Sequence, residues 1–68
     1  MPLQKIPYSL IVQAIHGSEY IGYCLACGAS QYDVEPDARL YICDECEQRQ
    51  VYGAEEILIM DMVAMEGN

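Results

Sequence analysis

Four cysteines arranged as two close pairs restrict the fold of this chain more than any other feature of its sequence. The first pair is Cys24 and Cys27, the second is Cys43 and Cys46, and fifteen residues lie between the pairs. Two residues inside a pair allow one tight turn to present both sulfurs to one metal ion, and two such turns complete the tetrahedron that Zn²⁺ prefers. The interval suits a strand, a turn and a returning strand. The spacing therefore predicts that all four cysteines hold one structural Zn²⁺.

The competing interpretation of these cysteines is two disulfides or four unrelated thiols. The longest apolar run near the N-terminus, Leu10-Ile11-Val12, is too short for a signal peptide or a membrane span. We therefore expect a cytoplasmic protein in a reducing compartment, where paired cysteines favour a metal over disulfides. Four thiolates would also fill the coordination sphere, so we expect a structural metal and no enzymatic activity.

The residue that follows each cysteine pair differs between the two. Gly28 follows the first pair and adopts left-handed backbone conformations easily, whereas Glu47 occupies the corresponding position after the second. The sequence therefore predicts a less regular second turn.

The short length of the chain makes a stabilising metal plausible. The chain has 68 residues and is 53% hydrophobic, but it contains neither Trp nor Phe. Chains of this size bury too little apolar surface to rely on a core alone. We expect one domain over residues 1–68.

Local patterns around the cysteines predict a small α+β fold whose core spans residues 20–52. Strands are expected at residues 20–23, 39–43 and 50–52, and residues 31–35 alternate between polar and apolar side chains. Together they predict a three-stranded sheet that carries both cysteine pairs.

The two terminal segments are expected to pack against this sheet. Residues 9–16 form a helix capped by Ser9 or, because several side chains are β-branched, a strand. As a helix, the segment would share one apolar face among Tyr8, Ile11, Val12 and Ile15. A C-terminal helix is predicted over residues 54–66, since Glu55 and Glu56 suit a first helical turn.

Residues 20–52 resemble a zinc ribbon, in which two cysteine turns are joined by a hairpin and followed by a further strand. The residues after the second pair, 51–56, are also similar to those of small uncharacterised zinc-ribbon proteins of phages and prophages. The resemblance implies a fold and a metal, whereas zinc ribbons serve many functions. Rubredoxins bind iron through two cysteine pairs, but those pairs lie further apart and a Pro and a Gly accompany the second.

The charge of the chain limits its partners. Eleven acidic residues oppose three basic ones, which gives a formal net charge of −8. Such a surface repels phosphate backbones and anionic lipid heads, so direct binding to nucleic acid or membranes is not expected. We expect a protein partner with a neutral or basic surface.

Two segments are candidates for the surface that meets this partner. The acids Asp44, Glu45 and Glu47 lie at the second cysteine turn, where they form either a solubilising rim or a contact for a basic protein. The predicted C-terminal helix is apolar almost all round, and its residues Ile57, Met60 and Val63 either cover the sheet or form a partner or homodimer interface.

Six tyrosines and one histidine complete the inventory of candidate functional residues. The tyrosines are expected at the edge of the core with their hydroxyls in water, because stacking on bases would need a positive groove beside them. His16 is not expected to bind the metal, and no catalytic pairing is apparent.

The leading functional hypothesis is therefore a non-enzymatic protein-interaction module of the adaptor or inhibitor type. The alternative is a regulator associated with transcription or other nucleic-acid machinery, as many zinc ribbons are. A third alternative, a rubredoxin-like electron carrier, stays open until the metal is identified.

Overall fold

The computed structural model describes residues 3–17 and 19–65, which form a small α+β architecture. Seven short elements follow one another along the chain, and they are β1 (Ile6–Pro7), α1 (Tyr8–His16), β2 (Ile21–Cys24), β3 (Ser30–Tyr32), β4 (Val51–Gly53), α2 (Ala54–Ile59) and β5 (Val63–Ala64). The predicted α+β class is confirmed at this level.

The main sheet has three antiparallel strands in the order β3-β2-β4. The central strand β2 pairs Ile21 with Tyr32 on one side and Gly22 with Gly53 on the other. A three-stranded sheet was expected, but residues 39–43 do not form one of its strands. They contribute a single bridge between Tyr41 and Val51.

The interruption at residues 39–43 has a local cause in the backbone. Leu40 has a φ of 58°, in the left-handed region that breaks an extended strand. Beyond it, the Gln31 side chain donates to the carbonyl of Ile42 (3.1 Å) and accepts from the N–H of Asp44 (3.0 Å). A side-chain amide thus satisfies backbone groups that a neighbouring strand would otherwise pair.

Two facing glycines allow the loop after β3 to lie directly on the sheet. A Cβ atom added at Gly53 would lie 2.0 Å from the carbonyl oxygen of Glu35, and one at Gly22 would lie 2.4 Å from a methyl carbon of Val34. Neither position has room for a larger residue, so both glycines are required by close approach.

The N-terminal segment is a helix, which settles the choice between helix and strand. Helix α1 begins at Tyr8, with Pro7 in the N-cap position, so the predicted Ser9 cap is wrong. Its buried residues are Ile11 and Ala14. Tyr8 and Ile15, expected on the buried face, are exposed.

The C-terminal helix is shorter than predicted, because α2 ends at Ile59 and not at residue 66. The N–H of Met60 donates to the carbonyl of Glu56, and Asp61 then turns the chain with a φ of 60°. The following strand β5 pairs in parallel with β1, placing Val63 beside Ile6. Glu66, the last residue of the predicted helix, lies outside the described residues.

Two hydrophobic clusters lie on either side of the main sheet. The helical cluster comprises Ile6, Ile11, Ala14, Tyr23, Leu25, Ala54, Ile57 and Val63. The cysteine cluster comprises Cys24, Val34, Ala38, Cys43 and Val51. Alternation along the chain explains the division, because consecutive residues of an extended segment face opposite sides of a sheet. Tyr23 and Leu25 accordingly join the first cluster and Cys24 the second.

Neither helix in the described part of the chain could cross a membrane, since α1 has nine residues and α2 has six.

Candidate metal centre

The four cysteine side chains converge at one end of the main sheet. The sulfurs of Cys24 and Cys46 are 3.6 Å apart, as are those of Cys27 and Cys43, and all four lie within 4.8 Å of one another. A disulfide would bring two sulfurs to about 2.05 Å, and all four cysteines are free. Their arrangement is therefore one that could hold a single metal ion, and His16 is not part of it.

The two cysteine turns share one hydrogen-bonding pattern. In the first, the Gly28 N–H donates to the Cys24 carbonyl (2.7 Å) and the Cys24 N–H donates to the Ala29 carbonyl (2.9 Å). In the second, the Glu47 N–H donates to the Cys43 carbonyl (2.9 Å), and the Cys43 N–H donates in turn to Gln48. Equivalent backbone bonds thus shape both turns.

The prediction of a less regular second turn is consequently wrong. Gly28 has a φ of 83° and Glu47 a φ of 65°, so the two residues adopt the same left-handed conformation. L-residues disfavour this conformation for steric reasons, and it costs glutamate roughly 1–2 kcal/mol of conformational free energy. The turn geometry therefore outweighs the local preference of the residue.

Backbone N–H groups also point at the sulfurs of the first cysteine of each pair. The Ala26 N–H lies 3.3 Å from the sulfur of Cys24, and the Glu45 N–H lies 3.3 Å from that of Cys43. Such donors favour the charged thiolate. The thiolate is the form that binds a metal.

Crowding of four thiols spreads their pKa values apart. The Ala29 N–H lowers the pKa of Cys27, but desolvation and the three neighbouring thiols outweigh it and raise that pKa to about 12. Burial opposes the ionisation of Cys43, but the N–H groups of Cys46 and Glu45 and the adjacent thiols outweigh it and lower that pKa to about 7. Interacting groups of this kind titrate together, and one thiolate is stabilised by protons on its neighbours.

The site lies at the surface on one side and against the core on the other. Cys24 and Cys43 are buried, Cys46 is half-buried and Cys27 is exposed. The second cysteine of each pair therefore faces outward, while the first anchors its turn to the sheet.

Two glutamines that sequence reasoning did not single out brace the centre. Gln31 links β3 to the second turn through its bonds to Ile42 and Asp44. The Gln4 side chain donates to the Ala26 carbonyl (3.2 Å), and its backbone N–H donates to the Leu25 carbonyl (2.8 Å). No local pattern marks these residues, because their partners lie 11 to 22 positions away along the chain.

The two predicted partner surfaces differ in their exposure to solvent. Asp44, Glu45 and Glu47 are exposed around the second turn. In the other set, Ile57 and Val63 are buried and Met60 is half-buried. These three side chains pack in or against the helical cluster, so they are not available to a partner while the fold stays closed.

An exposed apolar pair that the sequence patterns do not predict lies next to the acidic turn along the chain. Leu40 is 52% exposed and Ile42 is 50% exposed. Between them, Tyr41 exchanges backbone hydrogen bonds with Val51, which fixes the segment. A strand over residues 39–43 would place both side chains on one face of the sheet, but the structure has no strand there and both are exposed.

The Tyr41 hydroxyl donates to a carboxylate oxygen of Glu35 on the preceding loop. This bond lowers the pKa of Glu35 and raises the pKa of Tyr41. It gives the exposed segment a second attachment.

Comparisons with protein-family models, with curated proteins and with solved structures find no match to this chain. Its function is therefore argued from the geometry of the site and its surroundings.

Proposed function

We propose that this chain is a non-catalytic protein-interaction domain of the zinc-ribbon type, in which one structural Zn²⁺ fixes an acidic and apolar surface for a basic protein partner. The observation that carries the proposal is the convergence of four sulfurs within 4.8 Å on two equivalent turns.

The distances between the sulfurs support one tetrahedral metal ion, a geometry that Zn²⁺ prefers. Zn–S bonds of about 2.3 Å in a tetrahedron place the sulfurs about 3.8 Å apart. Two of the separations here are 3.6 Å. Four thiolate ligands would leave no position for a substrate or an activated water, which supports a structural role.

The surface beside the centre supports a protein partner. Leu40 and Ile42 present apolar area, and the acids Asp44, Glu45 and Glu47 stand next to them along the chain. Leu40 holds a left-handed conformation while half of its side chain meets water, and strain of this kind concentrates at binding sites. We call these five residues the knuckle surface. Its mixed chemistry fits an amphipathic, positively charged protein segment.

Metal analysis is the first test of the proposal. Native mass spectrometry of protein purified without added metal should give one zinc per chain, and Cys27→Ser should weaken its retention. Stoichiometric iron with visible absorption would instead support the electron carrier and contradict this proposal.

The knuckle surface is tested by affinity capture with matched variants. Leu40→Ser/Ile42→Ser should lose the proteins that the zinc-loaded chain captures from a host lysate, as should Asp44→Asn/Glu45→Gln/Glu47→Gln. Leu58→Ser, an exposed substitution on α2, is the control and should retain them. If both knuckle variants still captured the same partners, the assignment of this surface would be contradicted. Strong binding of random duplex DNA at physiological salt would favour the alternative, a regulator associated with nucleic-acid machinery.

A further inference from the structure

A second polar and aromatic site lies at the opposite end of β2 from the cysteines. A groove of about 390 Å³ is lined by Glu19, Tyr20, Tyr32 and Asp33. Tyr20 is 58% exposed and Tyr32 is 66% exposed, although both could have packed at the edge of the core. Two exposed tyrosines and two acidic residues thus line one open groove.

The backbone at this groove is fixed by the sheet. Ile21 pairs with Tyr32 in the β2–β3 ladder, and the Asp33 N–H donates to the Tyr20 carbonyl (2.9 Å). Asp33 has a φ of 62°, a conformation that aspartate tolerates better than most residues. The four side chains therefore project from a hydrogen-bonded strand end, which lowers the entropy lost when a ligand binds.

The charges at the groove lack a counterpart in the described part of the chain. Among the described residues, the one ion pair joins Arg39 to Glu56, neither of which lines the groove. With a net charge of −8 on the chain, the groove has a negative potential that attracts cations and repels phosphates.

We propose that this groove binds an arginine side chain of a protein partner. A guanidinium is planar, stacks on aromatic faces and donates to carboxylates through a rigid fork of N–H groups. Tyr20 and Tyr32 offer the faces, while Glu19 and Asp33 offer the acceptors. A lysine ammonium is more strongly hydrated and matches this combination less well. This proposal rests on the proposed function for the class of partner, a basic protein. It places the contact on a different surface, the groove at the other end of β2.

The test is an amide NMR titration of the zinc-loaded, full-length chain with a capped peptide of alternating glycine and arginine. We expect shift changes centred on residues 19–21 and 32–33, with a dissociation constant on the order of 1 mM. The same peptide with citrulline in place of arginine keeps the shape and loses the charge, and it should leave these signals unmoved. A lysine peptide should bind about threefold more weakly than the arginine peptide, given the modest energy of exposed cation–π contacts.

Two variants localise the response. Glu19→Gln/Asp33→Asn should weaken binding about fivefold, within the range that two exposed ion pairs can contribute. Asparagine also tolerates the backbone at position 33. Tyr20→Leu/Tyr32→Leu keeps apolar area but removes the aromatic faces, and it should weaken binding in the same direction. If the tyrosine variant does not fold, the charge variant still decides the question.

The control is Asp61→Asn, which removes an exposed charge at the turn after α2, outside both the groove and the knuckle surface, and should leave the arginine response in place. Unchanged binding by the groove variants would overturn the inference, as would shifts confined to the knuckle surface. The second result would leave the proposed function intact. Absence of bound zinc from the purified chain, or partners captured equally by both knuckle variants, would instead count against the proposed function, whatever happens at the groove.

Discussion

The two faces of the main sheet are stabilised in different ways. On one face, the helical cluster gathers side chains from both ends of the chain, including Ile6, Ile11, Ile57 and Val63, and buries them by ordinary apolar packing. On the other, the cysteine cluster has five buried members, two of which are the metal-binding candidates Cys24 and Cys43. The second face therefore has little apolar material beyond its sulfurs.

This difference indicates which interactions stabilise each face of the sheet. The helical face can hold its shape through burial, at about 25 cal/mol for each Å² of apolar surface removed from water. The cysteine face buries fewer apolar side chains, so we expect a bound metal ion to supply much of its stability. Because β2 and β4 contribute side chains to both faces, the two halves are expected to fold together.

Removal of the metal should have the largest effect. Zinc contributes about 10–16 kcal/mol in isolated finger peptides, comparable with the whole stability of a small domain. Chelation under reducing conditions should therefore abolish the dispersion of amide NMR signals in both halves. If the amide signals of α1 and α2 kept their native chemical shifts without the metal, the helical face would fold alone. That result would contradict the expected joint folding of the two faces.

A core truncation on the helical face should come next. Ile57→Ala removes a fully buried side chain, and such changes cost about 2–5 kcal/mol. Denaturant unfolding at a fixed free zinc concentration measures the loss. Leu58→Ala on the same helix is the control, because Leu58 is exposed and its truncation should change stability by no more than about 0.5 kcal/mol. Similar losses in both variants would contradict the assigned core.

Addition of one methyl group at Gly53 tests the packing of the loop on the sheet. The new Cβ would lie 2.0 Å from the Glu35 carbonyl oxygen, so Gly53→Ala should force the loop away at a cost of about 1–3 kcal/mol. The matched change is Gly17→Ala, where φ is −79° and the nearest atom outside the adjacent residues is 3.0 Å away. Thermal unfolding should rank Gly53→Ala as clearly the more damaging, and the reverse order would contradict the close approach.

The smallest effects should come from the two left-handed residues, and they should have opposite signs. Glu47→Gly relieves a conformation that glutamate resists and should stabilise the zinc-loaded protein by about 1 kcal/mol. Gly28→Ala imposes the same conformation on a side chain, next to the Gln4 amide, and should destabilise it by a similar amount. If the two substitutions changed the free energy of unfolding in the same direction, the two cysteine turns would not be equivalent.

Several parts of the fold could be predicted from the sequence because their signals are local. The spacing of the cysteines is one, since a turn of a few residues decides where both sulfurs point. The start of α2 near Ala54 is another, because the glycine and the two acids around it mark a helix N-terminus. The strand that leads into the first turn, expected at residues 20–23, is another, whereas β3 was marked only by the alternation over residues 31–35.

Other parts could not be predicted because they depend on residues far apart along the chain. The composition of the apolar run after Ile57 is typical of a helix, yet helix α2 ends at Ile59. Beyond it, Val63 pairs in parallel with Ile6, near the other end of the chain. That pairing converts a predicted partner surface into core. Likewise, the Gln31 side chain takes the place of a strand partner for residues 42–44, which leaves Leu40 and Ile42 exposed.

The sequence by itself determined the four cysteines that could hold a metal, the acidic balance from which we expect a basic partner, and the α+β class. Each of these follows from residue identity or from spacings of a few positions. Only the tertiary structure decided which apolar side chains are buried, that the two cysteine turns are equivalent, and that Tyr20 and Tyr32 share a groove with two acids. These outcomes depend on contacts between distant segments, and the free energy of such contacts is a property of the assembled fold.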